Sequence, residues 1–415
     1  MDFKNYLVPG KTGLLIGIGG VSMSPLAEVL HDAGLDIRGS DMAESSNTLT
    51  LRERGIPIHI GHSADNVTDD ISFVIRTAAV HDDNPEVHEA HRRGIPVFER
   101  TQAWGALMRG YQNALCISGT HGKTTTTSMC THIMMAAEKD PTVMIGGTLP
   151  LLKACHRVGK GNTIIMESCE YYNSFLALNP TIAVVLNIEA DHLDFFKDLE
   201  DIKHSFRCFA ERVPAETGTV IANYDDANTM DALRGIARKV ITFGLNAKAD
   251  VYAQNIVHRG SVSEFDIYHR GNYFARVTLH VPGIHNVRNA LAATAAAIVL
   301  GVSPNAVKYG LAGFEGAGRR FDFKGKFQGA DLYDDYAHHP SELRALLDAV
   351  DTLNYQRTIV VFQPHTYSRT AKLFNDFVEQ LRRPTIVYLA EIYAAREKNT
   401  IGISSADLAA QIPGA

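Results

Sequence analysis

The sequence predicts an α/β protein of three domains, and three observations carry that reading. Short apolar runs alternate with helical stretches, which implies parallel strands joined by crossover helices. The alternation starts twice, each time with a strand running into a Gly-rich turn, GIGGVSMS at 17–24 and GTHGKTTTT at 119–127. It resumes a third time after the Gly-rich stretch GFEGAGRRF, residues 313–321, which reads as a joint. The expected domains are 1–107, 108–318 and 319–415.

The first block contains TGLLIGIG, SPLAEVLHDAGL, DIRGSD, ISFVIRT and IPVFE, a Rossmann-like parallel sheet with helices. The second runs through NALCISG, TIIMES, TIAVVLNI and TVIANYD, the pattern of a P-loop ATPase α/β domain. Between about 250 and 282, SEFDIYHRG and YFARVTLHV switch to period two and predict a hairpin that caps this block. HNVRNALAATAAAIVLG predicts a long Ala-rich helix stopped by Gly301. ADLYDDYA, RTIVVFQ and PTIVYLAE predict the strands of a C-terminal Rossmann-like α/β domain. That domain has fewer than 100 residues and ends at QIPGA without a closing strand signal, so a truncated domain is expected.

Composition narrows the function classes. The 415 residues are 45% hydrophobic and 21% charged, with a net charge of −6, so no basic field is available to hold nucleic acid. The five cysteines, at 116, 130, 155, 169 and 208, show no zinc spacing and no even-numbered disulfide framework. Reduced thiols and a cytoplasmic location are expected. The start lacks a signal-peptide h-region, and no apolar run reaches the roughly 18 residues of a membrane span.

ISGTHGKTTTT has the architecture of a phosphate loop: strand, Gly-bounded turn, helix. Backbone N–H groups and the helix N-terminus present positive charge to an anion. Lys123 can reach the outer phosphates, and the Thr124 hydroxyl can hold Mg²⁺. Only two residues separate Gly119 from Gly122, against four in the strict pattern, so the context rather than the spacing carries the reading. A hard cation wants further oxygen ligands from neighbouring strand ends. TIIMES is followed by CEY, which places Glu167 and Glu170 where it ends, and TIAVVLNIEADHLD delivers Asn187, Glu189, Asp191, His192 and Asp194. Glu170 and His192 are favoured as metal ligands, with Thr124.

GIGGVSMS, with Asp41 ending the next strand, suits a diphosphate-bearing ligand, although Ser22 stands where the dinucleotide fingerprint has its third Gly. A nicotinamide enzyme would use this turn but leave GTHGKTTTT unexplained. A nucleotide-sugar diphosphate at the first turn and ATP at the second fit both. DDYAHHPSE (334–342) and FQPHTYSRT (362–370) follow predicted strands and suit a polar substrate site, or caps at Ser341 and Thr370. With Arg319 and Arg320 they suggest a cleft that closes over the γ-phosphate.

In order along nearly the whole chain, GIGGVSMS, GSD, DNPE, GTHGKTTT, NIEADHLDFF, HNVRNALAA, GRRF, DDYAHHPSE and FQPH-Y-RT resemble the Mur ligases. The resemblance implies a UDP-sugar domain, a central ATP domain and an amino-acid domain. It also implies an acyl phosphate on the lactoyl carboxylate of UDP-N-acetylmuramate that is attacked by L-alanine, with ATP and Mg²⁺ as cofactors and a monomer or homodimer. By the resemblance, Gly17, Gly19, Gly20, Ser22, Met23 and Asp41 meet the UDP-sugar, with Thr77, Ala78 and Arg100 as further candidates. The loop residues Gly119, Thr120, His121, Gly122, Lys123, Thr124 and Thr125 hold ATP. His285, Asn286 and Asn289 lie near adenine, Asp335 near ribose or phosphates, and Arg319 or Arg320 at the transferred phosphate. Tyr336, His338 and Arg369 line the amino-acid pocket.

The chain departs from the family pattern in ESCEYYNSF, where an ADESD-type stretch is usual, and in Thr366, where an Arg is usual. Arg207 lies near the spacing at which sister enzymes carry a carbamylated Lys, so no carbamate is expected. The alternatives are a family member that adds a preformed peptide to the same UDP-sugar and a non-catalytic nucleotide-binding homologue.

Overall fold

The computed structural model describes residues 2–413 apart from 78 and 396. In the N-terminal domain, β1 (Thr12–Ile16), β2 (Asp36–Asp41), β3 (Ile58–Ile60), β4 (Ile71–Arg76) and β5 (Val97–Glu99) form a parallel sheet in the order β3-β2-β1-β4-β5. The helices α1 (Ser24–Asp32), α2 (Ser46–Glu53), α3 (Pro85–Arg92) and α4 (Arg100–Met108) complete it. β1 reads TGLLI and is buried along its whole length, as a central parallel strand covered on both faces requires.

The central domain is built on a sheet in the order β15-β14-β13-β12-β11-β10-β6-β9-β7-β8. Its strands are β6 (Asn113–Ser118), β7 (Thr142–Leu149), β8 (Ala154–Arg157), β9 (Thr163–Glu167), β10 (Ile182–Val185), β11 (Thr219–Asn223), β12 (Lys239–Gly244), β13 (Val251–Arg259), β14 (Val262–His269) and β15 (Asn272–Leu279). Strands β13, β12, β11, β10, β6, β9 and β7 run parallel, while β14, β15 and the edge strand β8 are antiparallel. The expected capping hairpin is thus three-stranded. VYAQNIVHR carries no clean alternation, and a register shift between Gln254 and Val257 breaks its period. The helices here are α5 (Lys123–Ala136), α6 (Leu199–Glu211), α7 (Ala227–Ala232), α8 (Ile284–Val299) and α9 (Pro304–Ala312).

Period-two alternation sorts the core into two layers. Ala114 and Cys116 of β6 face a cluster shared with the N-terminal domain, whereas Leu115 and Ile117 face the layer beneath α5 and α8. The shared cluster runs from Phe3 through Trp104 to Phe175, Phe206 and Phe209. At the seam a Cβ on Gly105 would overlap the Ala177 carbonyl, which explains glycine inside α4. Asn179 Nδ2 donates to Gly105 O at 2.8 Å across the same seam.

In the C-terminal domain β16 (Asp322–Phe327) pairs antiparallel with β17 (Ala330–Asp334), and β18 (Ile359–Phe362) pairs parallel with β19 (Ile386–Leu389). ADLYDDYA therefore pairs with its own neighbour rather than joining the parallel pair, because a short Gly-containing turn returns the chain locally. The helices α10 (Pro340–Asp351), α11 (Tyr367–Lys372), α12 (Phe374–Leu381) and α13 (Ser405–Ala409) surround a core of its own, including Leu343, Phe362, Phe377 and Leu408.

Candidate active site

β6 lies between β10 and β9, so three strand ends meet at one sheet edge. Ligands collect at that carboxyl edge in parallel sheets. β6 feeds the phosphate loop, in which Gly119 and Gly122 have φ of +144° and +83°, with Gly122 the N-cap of α5. A Cβ at Gly122 would meet Asn289 Oδ1 at 2.7 Å, so the loop approaches α8 closely only with glycine there. Asn187, at the end of β10, fixes the loop from the side. It accepts from His121 N at 2.8 Å, donates to His121 O at 3.1 Å, and its carbonyl accepts from Thr120 N at 3.0 Å. Thr120 Oγ1 accepts from Glu189 N at 2.9 Å.

Lys123 Nζ turns back to Gly119 O (2.5 Å) and Thr120 O (3.0 Å) and pairs with Glu170 at 3.0 Å. Burial opposes its charge, but Glu170 outweighs burial and raises its pKa, so Lys123 stays a cation. Glu170 is 2% exposed and stands 3.9 Å from His192 Nε2. Burial lowers the pKa of His192 despite Asp191 and Glu170, which favours the neutral imidazole a metal ligand needs. His192 has φ +51° and stacks on Tyr171 with ring centroids 4.3 Å apart. A left-handed non-glycine residue is a strained backbone, of a kind that collects at functional sites. Thr124 Oγ1 donates to Glu167, not Glu170, at 3.1 Å, and Gly146 N donates to the other Glu167 oxygen at 2.7 Å. Arg207 lies away from this cluster, donating to Ala232 O and Arg234 O.

Two cavities flank the loop. One, of about 870 Å³, is lined by His121, Gly122, Thr125, Asn286, Asn289 and Asp335, and also by His285 and Arg320. Asn286 Nδ2 donates to Pro282 O and Asn289 Nδ2 to Asn286 Oδ1, so the amides of α8 are pre-oriented. Burial takes His285 down to about 4, hence neutral. Burial raises the Asp335 carboxyl although Phe321 N and Ala337 N both donate to it at 2.7 Å. Arg319 does not line this cavity; its guanidinium stacks on Tyr336 at 4.6 Å, with that of Arg320 at 5.5 Å.

The other cavity, of about 750 Å³, draws on all three domains, with Ser22, Arg100, Glu167, Cys169, His192 and Arg369 in its wall. On its N-terminal side Val21 and Ser22 of the turn line it, while outside the lining Gly19 N donates to Asp41 at 2.8 Å and Gly20 N donates to Gly17 O. Arg100 donates to Ser22 Oγ. Thr77 packs against Gly17, whereas Ala78 lies outside the described residues. Met23 is fully buried in the core, so only its backbone belongs to the turn. At the C-terminal side Arg369 pairs with Asp191 at 2.8 Å and with His365 at 3.1 Å. Burial opposes the Asp191 carboxylate, but Arg369 drives its pKa far below the usual range. Thr366, with φ +67°, precedes α11 on the same wall. His338 Nδ1 bonds Tyr336 O at 2.9 Å, and its ring lies 5.8 Å from that of His365, behind the cavity lining.

The start of α10, whose N-cap is His339 rather than the expected Ser341, touches the loop. His121 Nδ1 lies 3.2 Å from Glu342, and Ser341 Oγ donates to Glu189 at 2.5 Å. Burial opposes charge on His121, but hydrogen bonds to Glu189 and Glu342 push its pKa up to about 9. Glu342 is also the third residue of a capping box whose first residue is His339.

A phosphate loop beside a three-domain cavity, with a cation, carboxylates and a neutral imidazole at the joint, defines a nucleotide-dependent enzyme that activates one ligand for reaction with another. Family profiles agree along the chain: "Mur ligase family, catalytic domain" matches residues 15–112, "Mur ligase middle domain" 117–297 and "Mur ligase, glutamate ligase domain" 319–415. The chain belongs to the Mur ligase family. A UDP-N-acetylmuramate–L-alanine ligase of Agathobacter rectalis is 47% identical over 394 residues, covering 95% of this chain and 86% of that relative. The crystal structure of UDP-N-acetylmuramate-alanine ligase from Thermotoga maritima matches with a TM-score of 0.75 and 31% identity over 92% of this chain and 85% of that one. A UDP-N-acetylmuramate:L-alanyl-gamma-D-glutamyl-meso-diaminopimelate ligase from Neisseria meningitides matches with 0.67 and 26%, over 74% and 99%.

Proposed function

We propose that this chain joins L-alanine to the lactoyl carboxylate of UDP-N-acetylmuramate, with ATP hydrolysed to ADP and phosphate, in peptidoglycan precursor synthesis. The observation that carries the reading is 47% identity along 95% of the chain to a ligase named for that reaction. The peptide-adding relative stands at 26%.

In this reading the loop N–H groups from Gly119 to Thr125 hold the ATP phosphates, and Lys123 exchanges Glu170 for phosphate oxygens. His285, Asn286 and Asn289 contact adenine, and Asp335 the ribose. Arg320 neutralises the transferred phosphoryl group, with Arg319 beside it. Transfer is mostly positioning and charge neutralisation, so these groups suffice without a protein nucleophile. Thr124, Glu170 and His192 form an oxygen-rich donor set with a neutral imidazole and would hold Mg²⁺, which supplies charge neutralisation between the phosphates. The turn from Gly17 to Met23, with Asp41, Thr77 and Arg100, holds the UDP-sugar and aims its carboxylate into the cavity of about 750 Å³. Arg369, with Tyr336 and His338, orients the amino acid. The amine then attacks the acyl phosphate, and the tetrahedral intermediate expels phosphate and leaves the amide. The domain limits at 107 and 318, a cytoplasmic location and a monomer or homodimer belong to the same proposal. Among the described residues no helix is long and apolar enough to cross a membrane.

The test is isotope transfer. UDP-N-acetylmuramate labelled with ¹⁸O in its lactoyl carboxylate should pass one ¹⁸O atom to the released phosphate. Unlabelled phosphate would refute the acyl phosphate.

A further inference from the structure

A cluster that phosphoryl transfer does not use lies where the C-terminal domain meets the phosphate loop. His121 comes from the loop after β6, Glu189 from the segment after β10, and His339 from the N-cap of α10. His121 Nε2 lies 3.5 Å from Glu189 Oε2, and His339 Nδ1 lies 3.9 Å from the same oxygen. The two imidazole centroids are 4.9 Å apart. One ligand atom from each residue falls within 4.8 Å of the other two. His339 is 5% exposed, and among the described residues its Nε2 has no hydrogen-bond partner, while its Nδ1 accepts from Ser341 N at 3.3 Å; His121 Nε2 is held by the 3.5 Å ion pair with Glu189 alone. Buried imidazole nitrogens are normally satisfied at ordinary distance, so the open Nε2 of His339 and the long contact of His121 with Glu189 call for an explanation.

We propose that His121, Glu189 and His339 form a binding site for a transition-metal dication of the zinc class, separate from the Glu170–His192 pair, that clamps the C-terminal domain onto the phosphate loop. Two imidazoles and one carboxylate are the donor set of a three-ligand zinc site with an open fourth position, and the ion binds by displacing the proton that Glu189 and Glu342 hold on His121. Mg²⁺ prefers an all-oxygen shell and does not compete well for two nitrogens. With bonds of about 2.0–2.2 Å, tetrahedral ligand atoms sit about 3.3–3.6 Å apart. The His121–Glu189 separation is already close to that, and a small side-chain rotation brings His339 in. Ser341 and Glu342 hold Glu189 and His121 from outside, as outer partners of metal ligands do. Because His121 and Glu189 line the nucleotide cavity, an ion here would fix the loop in the form seen and slow ligation. The inhibition rests on the ligase reading; the binding does not.

The experiment is a Co²⁺ titration of the nucleotide-free protein in excess Mg²⁺, read by visible d–d absorption and by calorimetry. The expected result is one equivalent with the intense absorption of a four-coordinate nitrogen and oxygen site. His339→Gln and Glu189→Gln should each weaken it by more than the roughly 10- to 100-fold that loss of an outer partner costs. His192→Gln should leave it unchanged, and unfolding curves establish that each variant is folded. No stoichiometric binding, a thiolate charge-transfer band, or loss in His192→Gln without loss in His339→Gln would overturn the site. If the site binds Co²⁺ but Zn²⁺ fails to slow phosphate release by an otherwise active enzyme, the clamp is wrong.

Discussion

Lys123 Nζ stands 3.0 Å from the Glu170 carboxylate and closes the phosphate loop on itself by donating to the carbonyl oxygens of Gly119 and Thr120. In the proposed reading, nucleotide binding requires the ammonium to exchange these oxygens for phosphate oxygens. Lys123→Ala is expected to lower turnover by roughly 100- to 1000-fold or more, as loss of a charge-stabilising donor does. It also leaves Glu170 buried without its cation, at a cost of about 3 kcal/mol in stability. Steady-state kinetics and urea unfolding check the two parts, while UDP-sugar binding by calorimetry should hold.

The Arg369–Asp191 pair is 10% and 8% exposed and joins the C-terminal domain to the end of β10. Removing the carboxylate strands a nearly buried guanidinium. Asp191→Asn should lower kcat/KM for the amino acid by about 2–3 kcal/mol, roughly 30- to 150-fold, and leave ATP affinity nearly unchanged. A change confined to ATP affinity would contradict the role given to Arg369.

A third prediction concerns pH. His156 on β8 lies 3.2 Å from Glu28 of α1, which is itself also paired with Arg54. Burial opposes the imidazolium, but Cys155 and Glu28 outweigh it and raise the pKa from 6.5 to about 9. A raised folded-state pKa means that the proton stabilises the fold fully below about 6.5 and that this stability is lost as pH rises through about 9. Thermal unfolding should therefore show Tm falling by several degrees from pH 6.5 to 9. His156→Gln should flatten that slope; an equally steep slope in the variant would remove this contact as its cause.

Gly122 combines a φ of +83° with a Cβ position 2.7 Å from Asn289 Oδ1. Gly122→Ala should cost about 1–2 kcal/mol from the backbone alone and push the loop away from α8. The expected readout is a lower Tm together with a raised KM for ATP, whereas KM for L-alanine stays within a small factor.

Much of the site was legible in sequence because parallel strands deliver their ends to one edge. Glu170 and His192 follow TIIMES and TIAVVLNI, and the fold brings them within 3.9 Å. The hold of Glu167 on Thr124 was less visible, since Glu167 at the end of β9 and Glu170 beyond it fit the same expectation. Contacts between domains were not legible. Arg369 finds Asp191 across 178 residues, and His121 finds Glu342 across 221, distances that no local period encodes. ADLYD, expected as a strand of the C-terminal α/β sheet, pairs instead with β16 through a turn of its own.

The central claim is tested most directly by phosphate release from Mg²⁺·ATP with UDP-N-acetylmuramate, comparing L-alanine, glycine, L-serine and a tripeptide as the amine. The account predicts release that requires both the sugar and an amine and is fastest with L-alanine. Preference for the tripeptide, or ATP binding without release under any combination, would contradict it.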